Sequence, residues 1–379
     1  MTTMTTMKKT KILFAGAGHA HLFSLVRLEA FLRHHGEVTV VSPTPLWYSG
    51  MGPGLLSGRY TPREASLDVR TLVEERGGRF LEDTVARLLP EKRMAVTTKG
   101  EEISYDLLSL NIGSEISSPL LESGSERVFP VKPVESFLKL RQALLALPPR
   151  EELHLAVAGG GPSGCETAAN IYEFCKAHQR KVRITLSTGP RGILPGLPPK
   201  AARIMARELA KRRITLREQP IRGYQEGTLL YEGGSSEKAD FLMVATGVRP
   251  PKLLRESGLS TDKVGALVLG RHLQSPDNPE IFGGGDCIAF QPLPLRRAGV
   301  YALRQGPILF ANLLARLTDK PLEPFIPQRE FLMILNLGST GLLLRKPLVL
   351  SGSFALGLKE WIDRRFIRSF QKDLDRNQH

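Results

Sequence analysis

Leu153 to Glu166 reads LHLAVAGGGPSGCE, an apolar run that breaks into Gly159, Gly161 and Gly164 at G-x-G-x-x-G spacing and continues as a helical pattern. A strand, a tight turn and a helix in that order bring backbone N–H groups and a helix N-terminus to one place, which suits the diphosphate of a dinucleotide. Lys11 to His21, KILFAGAGHAH, repeats the design with Gly16 and Gly18, and His21 stands where the third glycine would be. One such turn is a weak signal. Two in one chain predict two dinucleotides, one permanently bound and one exchanging. A third group lies further on, where IFGGGD, Ile281 to Asp286, ends a strand-like run on an acid, and Gly299 opens a helix-like stretch that carries Gln305. The acid suits ribityl hydroxyls, and a helix N-terminus stabilises negative charge on a reduced flavin ring.

The elements that must position these residues follow from hydrophobic spacing. After the first turn, Leu22, Leu25, Val26, Leu28 and Leu32 predict a helix, and EVTVVS, ending at Ser42, predicts a second buried strand. An acid usually ends that strand and binds the ribose 2′-OH; with Ser42 there, adenosine binding leans on the backbone. The strand after the second turn ends alike, at Ser187, with Arg191 close behind. Nothing in that stretch repels a 2′-phosphate, so NADH and NADPH are both admissible, with rates differing by less than about a thousandfold. Tyr48 to Gly58, YSGMGPGLLSG, is expected to be a loop that brings backbone at Gly50 and Met51 close to something flat. Residues 80–112 read as an antiparallel meander that closes on Gly113, residues 117–133 as a crossover, and Phe137 to Ala146 as a helix. DFLMVATGVRP, Asp240 to Pro250, passes through Gly247 and parallels Asp106 to Gly113. This internal repeat predicts a duplicated nucleotide fold with the second copy inserted into the first.

Composition sets the outer bounds. The 379 residues, 41% hydrophobic with 36 glycines and 27 prolines, suit a turn-rich α/β protein with more than one core. Cys165, Cys175 and Cys287 lack Cys-x-x-Cys spacing, which fits a reducing compartment and argues against a dithiol relay. No metal ligand set is expected. The net charge of +14 favours anionic partners, but the basic residues are dispersed, so nucleic acid is not expected. The leading MTTMTTM reads as a tail, and the short apolar run behind Lys8 and Lys9 as a first strand, not a signal peptide. No uncharged apolar run reaches about 18 residues, so the expected location is cytoplasmic or peripheral on the inner face of the cell membrane.

With these motifs placed, the chain resembles the two-dinucleotide flavoproteins of the pyridine nucleotide-disulfide oxidoreductase superfamily. Gly16-Ala17-Gly18, Gly159 to Gly164, ATGVRP from Ala245 and Gly285-Asp286-Cys287 carry the resemblance. It implies an α/β fold of two Rossmann-like domains: an FAD-binding domain at residues 8–118 and 264–322, split by an NAD(P)H-binding domain at 130–258, and a small α+β region at 323–379. FAD contacts are then expected from Gly16, Gly18, His19, Ala20, Ser42, Gly50, Met51, Gly113 and Asp286. NADH or NADPH contacts are expected from Gly159, Gly161, Gly164, Ser187, Arg191 and Gly247. Lacking Cys-x-x-Cys, the chain is closer to type II NADH dehydrogenases, and closer still to the flavoprotein modules fused to selenide, water dikinase, which share GHAH, SGMGPG, LLSLNIGS, AGVYALRQGP and LKEWIDRRF. Glu166 and Gln305 are the residues that the resemblance places at the reacting centre. Val300 and Arg304 occupy positions where the dehydrogenases carry quinone-site glutamines.

The expected activity is FAD-dependent NAD(P)H oxidation that passes electrons to an acceptor such as a quinone. The alternative is a non-catalytic or regulatory flavoprotein linked to selenium or sulfur metabolism; sulfide:quinone oxidation ranks below both. At the C-terminus, Leu358, Trp361, Ile362, Phe366 and Phe370 form an apolar face beside Lys359, Arg364, Arg365 and Arg368, expected to dock on a membrane in preference to the preceding strands.

Overall fold

The computed structural model describes residues 9–148 and 152–375, with side chains to residue 371. The leading tail lies outside the described residues. Ten strands build two parallel sheets: β1 (Thr10–Ala15), β2 (Gly36–Val41), β3 (Arg79–Leu81), β4 (Leu107–Leu110), β5 (Val128–Pro130), β6 (Leu153–Ala158), β7 (Val182–Ser187), β8 (Thr215–Arg217), β9 (Phe241–Val244) and β10 (Ile281–Gly283). The orders are β10-β4-β1-β2-β3 and β5-β9-β6-β7-β8. The central strands are mostly apolar because both faces of each sheet are covered; β4, β6 and β9 are buried at every position, and their two polar residues, Ser109 and His154, are hydrogen-bonded.

The repeat noticed in the sequence has a structural counterpart in hydrogen bonds. Asp106, just before β4, accepts the Lys11 N–H at 2.8 Å, and Asp240, just before β9, accepts the His154 N–H at 2.9 Å. At the other end of the sheets, Gly16 donates to Val41 and Gly159 to Ser187, each at 2.7 Å. Each half thus locks the start of its first strand with an acid and its glycine turn with the neighbouring strand. The first sheet also takes β10 from beyond the second, so its chain is interrupted by the inserted sheet.

Three local readings change. The helix after the first turn is two short pieces, α1 (Leu22–Leu25) and α2 (Glu29–Arg33), with i→i+3 bonds between them. The buried Arg76 guanidinium donates to the Val26 carbonyl, and Ala30 N–H turns to Arg27. The glycine-rich stretch is no loop. Ser49–Met51 makes a 3₁₀ turn and α3 (Gly52–Ser57) follows, packed on α4 (Glu135–Ala146) and α5 (Pro162–Ala177). A Cβ on Gly52 would stand 2.8 Å from the Phe137 ring and one on Gly54 2.4 Å from the Tyr60 ring, so the flat groups that approach are the protein's own. The meander keeps only Val85–Leu89, Met94–Thr97 and Glu102–Ser104, because Arg79–Leu81 joins the parallel sheet as β3.

After α6 (Gly299–Leu317), the chain ends in an antiparallel sheet, β11 (Met333–Asn336), β12 (Gly341–Arg345) and β13 (Leu348–Gly352), covered by α7 (Ser353–Asp375). The expected apolar face of α7 is divided. Ala355, Leu356, Lys359, Asp363 and Ile367 face inward, whereas Phe354 and Trp361 are 56% and 59% exposed. Phe366 packs against the cores under both parallel sheets and Phe370 against the core of the sheet that contains β1. Two charges can occupy the inner face because Lys359 and Asp363, one helical turn apart, neutralise each other at 2.9 Å.

Candidate functional site

The second glycine turn divides its labour. Gly159 has φ +124° and a Cβ there would lie 2.2 Å from the Ala245 carbonyl oxygen; one on Gly164 would lie 1.8 Å from that of Gly159. Both glycines let the chain pack on itself. A Cβ on Gly161 would meet nothing within 4 Å, and neither would one on Gly247, whose φ is +109°. Between them opens a cleft of about 360 Å³, bordered by Gly159–Gly161, Ser187–Gly192 and Ala245–Gly247 at the start of α5. Unpaired N–H groups and bare backbone at a helix N-terminus suit a diphosphate. Ser187 borders the cleft, but its buried hydroxyl donates to the Gln219 carbonyl at 2.6 Å, while Arg191 is exposed.

The first turn is stitched shut on its inner side by Asn111, which sequence reasoning missed. Its Oδ1 accepts the Ala20 N–H at 3.0 Å and would lie 2.3 Å from a Cβ on Gly18; its Nδ2 donates to the Gly284 carbonyl at 2.6 Å. His21, in place of a third glycine, donates from Nδ1 to the Gly16 carbonyl and accepts the Ser109 hydroxyl at Nε2. Burial holds its pKa down to about 4, so the ring is neutral at physiological pH. Gln305, expected at the reacting centre, is 1% exposed and its Oε1 accepts the Gly285 N–H at 2.7 Å. It positions the loop that carries Asp286. Ser42 is likewise committed, donating to the Pro43 carbonyl at 3.0 Å.

Asp286 holds the Lys132 ammonium and the Ser114 hydroxyl, each at 2.8 Å. Burial pushes its carboxyl up, but Lys132 and Ser114 outweigh that and leave it below the usual carboxylate range. His19, beside this pair, is held down to about 4 by desolvation and by Lys132. Cβ atoms on Gly113, with φ +72°, and on Gly299, at the start of α6, would meet nothing within 4 Å. An ionised acid and two stretches of bare backbone, set around the first turn, fit FAD: Asp286 for ribityl hydroxyls, the Gly299 end of α6 for negative charge on the ring. Lys132 carries no motif that announces it; only the fold brings it to Asp286.

A buried ionisable cluster lies under the Ser49–Met51 turn. Glu166, in the first turns of α5, accepts the Asn336 N–H at 2.6 Å. Although part of the residue stays open, desolvation of its carboxyl pushes the pKa up to about 7, against the pull of Lys359 and that N–H. The Lys359 ammonium donates to Asp363, and the Tyr60 hydroxyl donates to the same oxygen at 3.3 Å. A Cβ on Gly50 would stand 3.2 Å from the Tyr48 ring and 3.7 Å from Lys359 Nζ. Met51 is fully buried, which leaves its side chain to the core. Lys359 and Asp363 were legible only as part of a basic amphipathic helix. The cysteines are all buried, and desolvation pushes each thiol up to about 12, so none supplies a thiolate.

Glu166 has a stability signature. From about pH 4.5, where an unfolded glutamate releases its proton, to about 7, where the folded one does, the native state holds the extra proton. Stability from this group is therefore full below that window and is lost as pH rises through it. Glu166→Gln keeps an acceptor for Asn336 and removes the loss. The melting temperature of the variant, relative to the parent, should climb between pH 4.5 and 8; parallel curves would refute the raised pKa.

A family model described as pyridine nucleotide-disulphide oxidoreductase matches residues 10–306. Among curated relatives, a type II NADH:quinone oxidoreductase of Haemophilus influenzae is 24% identical over 92% of this chain and 91% of its own length. An alternative NAD(P)H-ubiquinone oxidoreductase C1 of Arabidopsis thaliana is 24% identical over 93% of this chain and 74% of its own. Among solved structures, the sulfide:quinone oxidoreductase of Aquifex aeolicus superposes with a TM-score of 0.77 at 17% identity, covering 96% of this chain and 92% of that one, a likeness of fold.

Proposed function

The chain belongs to the pyridine nucleotide-disulphide oxidoreductase family, and from that premise we propose that it is an FAD-dependent NAD(P)H oxidoreductase whose electrons pass to a quinone. One observation carries the reading: backbone at Gly113 and Gly299, on the side of Asp286, and again at Gly161 and Gly247, stands clear of the protein's own side chains. FAD, when bound, accepts a hydride from a reduced nicotinamide and hands electrons on singly or in pairs. The chain's own residues bind, orient and move protons. Gly161 and the start of α5 hold the nicotinamide dinucleotide, Arg191 lies at the mouth of that cleft, and Asp286 anchors the flavin chain. Glu166, poised near neutrality, takes up or releases a proton at its carboxyl, with Lys359 and Asp363 fixing its field. All three cysteines are buried, and desolvation disfavours the thiolate that sulfide chemistry needs.

Steady-state oxidation of NADH and NADPH with menadione tests the reading. Turnover above the rate of free FAD supports it; flavin-loaded protein without turnover would leave the regulatory alternative.

The finer part of the proposal is peripheral contact with lipid. Phe354, Leu358 and Trp361 run along the outer side of α7, with exposed Arg365 and Arg368 on the same side and exposed Leu348 and Leu350 on β13. On the inner side of that helix, Phe366 packs on Tyr48 at 4.9 Å and lies 6.4 Å from His19 in the first glycine turn. Aromatic anchors flanked by cations suit an anionic interface. No helix among the described residues is long and apolar enough to cross a membrane. Co-sedimentation with anionic liposomes at low ionic strength should be lost in Phe354→Glu/Trp361→Glu; the same bound fraction in parent and variant would remove this contact.

A further inference from the structure

We infer that the exchanging nucleotide is NADPH in preference to NADH, and that Arg191 reads its 2′-phosphate. This rests on the function proposed above and deepens it. Along the cleft at Gly161, Arg191 is the one charged side chain among the described residues, and no carboxylate faces it. An enzyme that selects NADH needs an acceptor for the ribose hydroxyls, usually a carboxylate at the end of the second strand. The two side chains in that place are hydroxyls whose protons go to backbone carbonyls, Ser187 to Gln219 at 2.6 Å and Thr188 to Gly189 at 3.1 Å, and neither oxygen carries the charge that makes a carboxylate the stronger acceptor. Nothing there repels a phosphate dianion either.

The segment that carries Arg191 is held at three places. Gly192 N–H donates to the Gly189 carbonyl at 3.1 Å, closing the turn around Arg191, and Leu194 N–H donates to the Gly160 carbonyl at 2.7 Å, tying the segment to the glycine turn. Arg296, from the strand-to-helix connection of the other sheet, donates to the Gly196 carbonyl at 2.9 Å. Arg191 therefore stands at a set distance from the diphosphate cradle on a segment whose backbone is pinned, with an exposed guanidinium that can turn its planar fork to a phosphate.

Nucleotide fragments without a nicotinamide separate this from the activity. In titration calorimetry of the FAD-loaded protein, 2′,5′-ADP should bind at least tenfold more tightly than 5′-AMP. Arg191→Ala should weaken 2′,5′-ADP at least tenfold and 5′-AMP less than threefold. Equal affinities for the two fragments, or equal losses in the variant, overturn the inference. Anaerobic bleaching of the flavin by each reduced nucleotide completes the test, with NADPH expected at least tenfold ahead of NADH in kcat/KM. If neither bleaches the flavin, the oxidoreductase reading fails while fragment binding still decides this one; if NADH is equal or faster, the inference fails and the oxidoreductase reading stands.

Discussion

Gly161→Val is expected to fold, to keep its FAD, and to lose at least a hundredfold in kcat/KM for reduced nicotinamide nucleotide, about 2.7 kcal/mol of transition-state stabilisation. A Cβ at this position meets no protein atom within 4 Å, so the branched side chain costs the fold little; the space it fills is the space in front of the first N–H groups of α5. A diphosphate cannot reach those groups past two methyls. The neighbouring glycines serve as internal controls. Gly164→Ala would drive a methyl against the Gly159 carbonyl oxygen, 1.8 Å away, and should lower the melting temperature as well as the activity. Melting temperature, flavin absorbance and steady-state kinetics on the two variants check the distinction. A Gly161→Val protein within threefold of the parent would mean that the nucleotide lies elsewhere.

Asp286→Ala is expected to lower FAD affinity by one to two orders of magnitude, so that protein passed through a desalting column emerges largely colourless. A hydrogen bond to an ionised acceptor contributes about 1.5–3 kcal/mol, and the loss also leaves Lys132 without its partner. Asp286→Asn keeps an acceptor without the charge and should fall between the two. Fluorescence titration with FAD measures all three proteins, and added FAD should restore NAD(P)H oxidation by Asp286→Ala. Stoichiometric flavin after desalting would show that this acid is not the anchor.

Glycine spacing and apolar runs made the two cradles legible, because a tight turn after a buried strand is a local matter: the residues that create it are neighbours in the chain. The position of Asp286 follows from the same local rule, in the turn just past the end of its strand. The roles of particular groups do not. Gln305 reads as a residue of the reacting centre from its motif, but its oxygen is taken by the Gly285 N–H. Gly52 and Gly54 read as room for a ligand, whereas the rings of Phe137 and Tyr60 occupy the space beside them. Phe137 and Gly285 come from other elements of the fold, and Tyr60 reaches Gly54 only because the chain turns back after α3, so no spacing rule specifies these partners.

The C-terminal helix shows the same division most plainly. Its amphipathic character follows from residue order, since side chains three and four apart share a face. Which face is buried does not, because burial is decided by what lies opposite. Here the opposite surface offers Tyr60, the region of Glu166 and the β11–β13 sheet, so Lys359 and Asp363 turn inward as a neutral pair and Trp361 turns outward. Sequence alone therefore determined the duplicated dinucleotide architecture and the positions of its turns. Only the tertiary structure decided where the ionisable groups under the Ser49–Met51 turn gather and which glycines stay open for a ligand, because desolvation and clearance are properties of the packed whole.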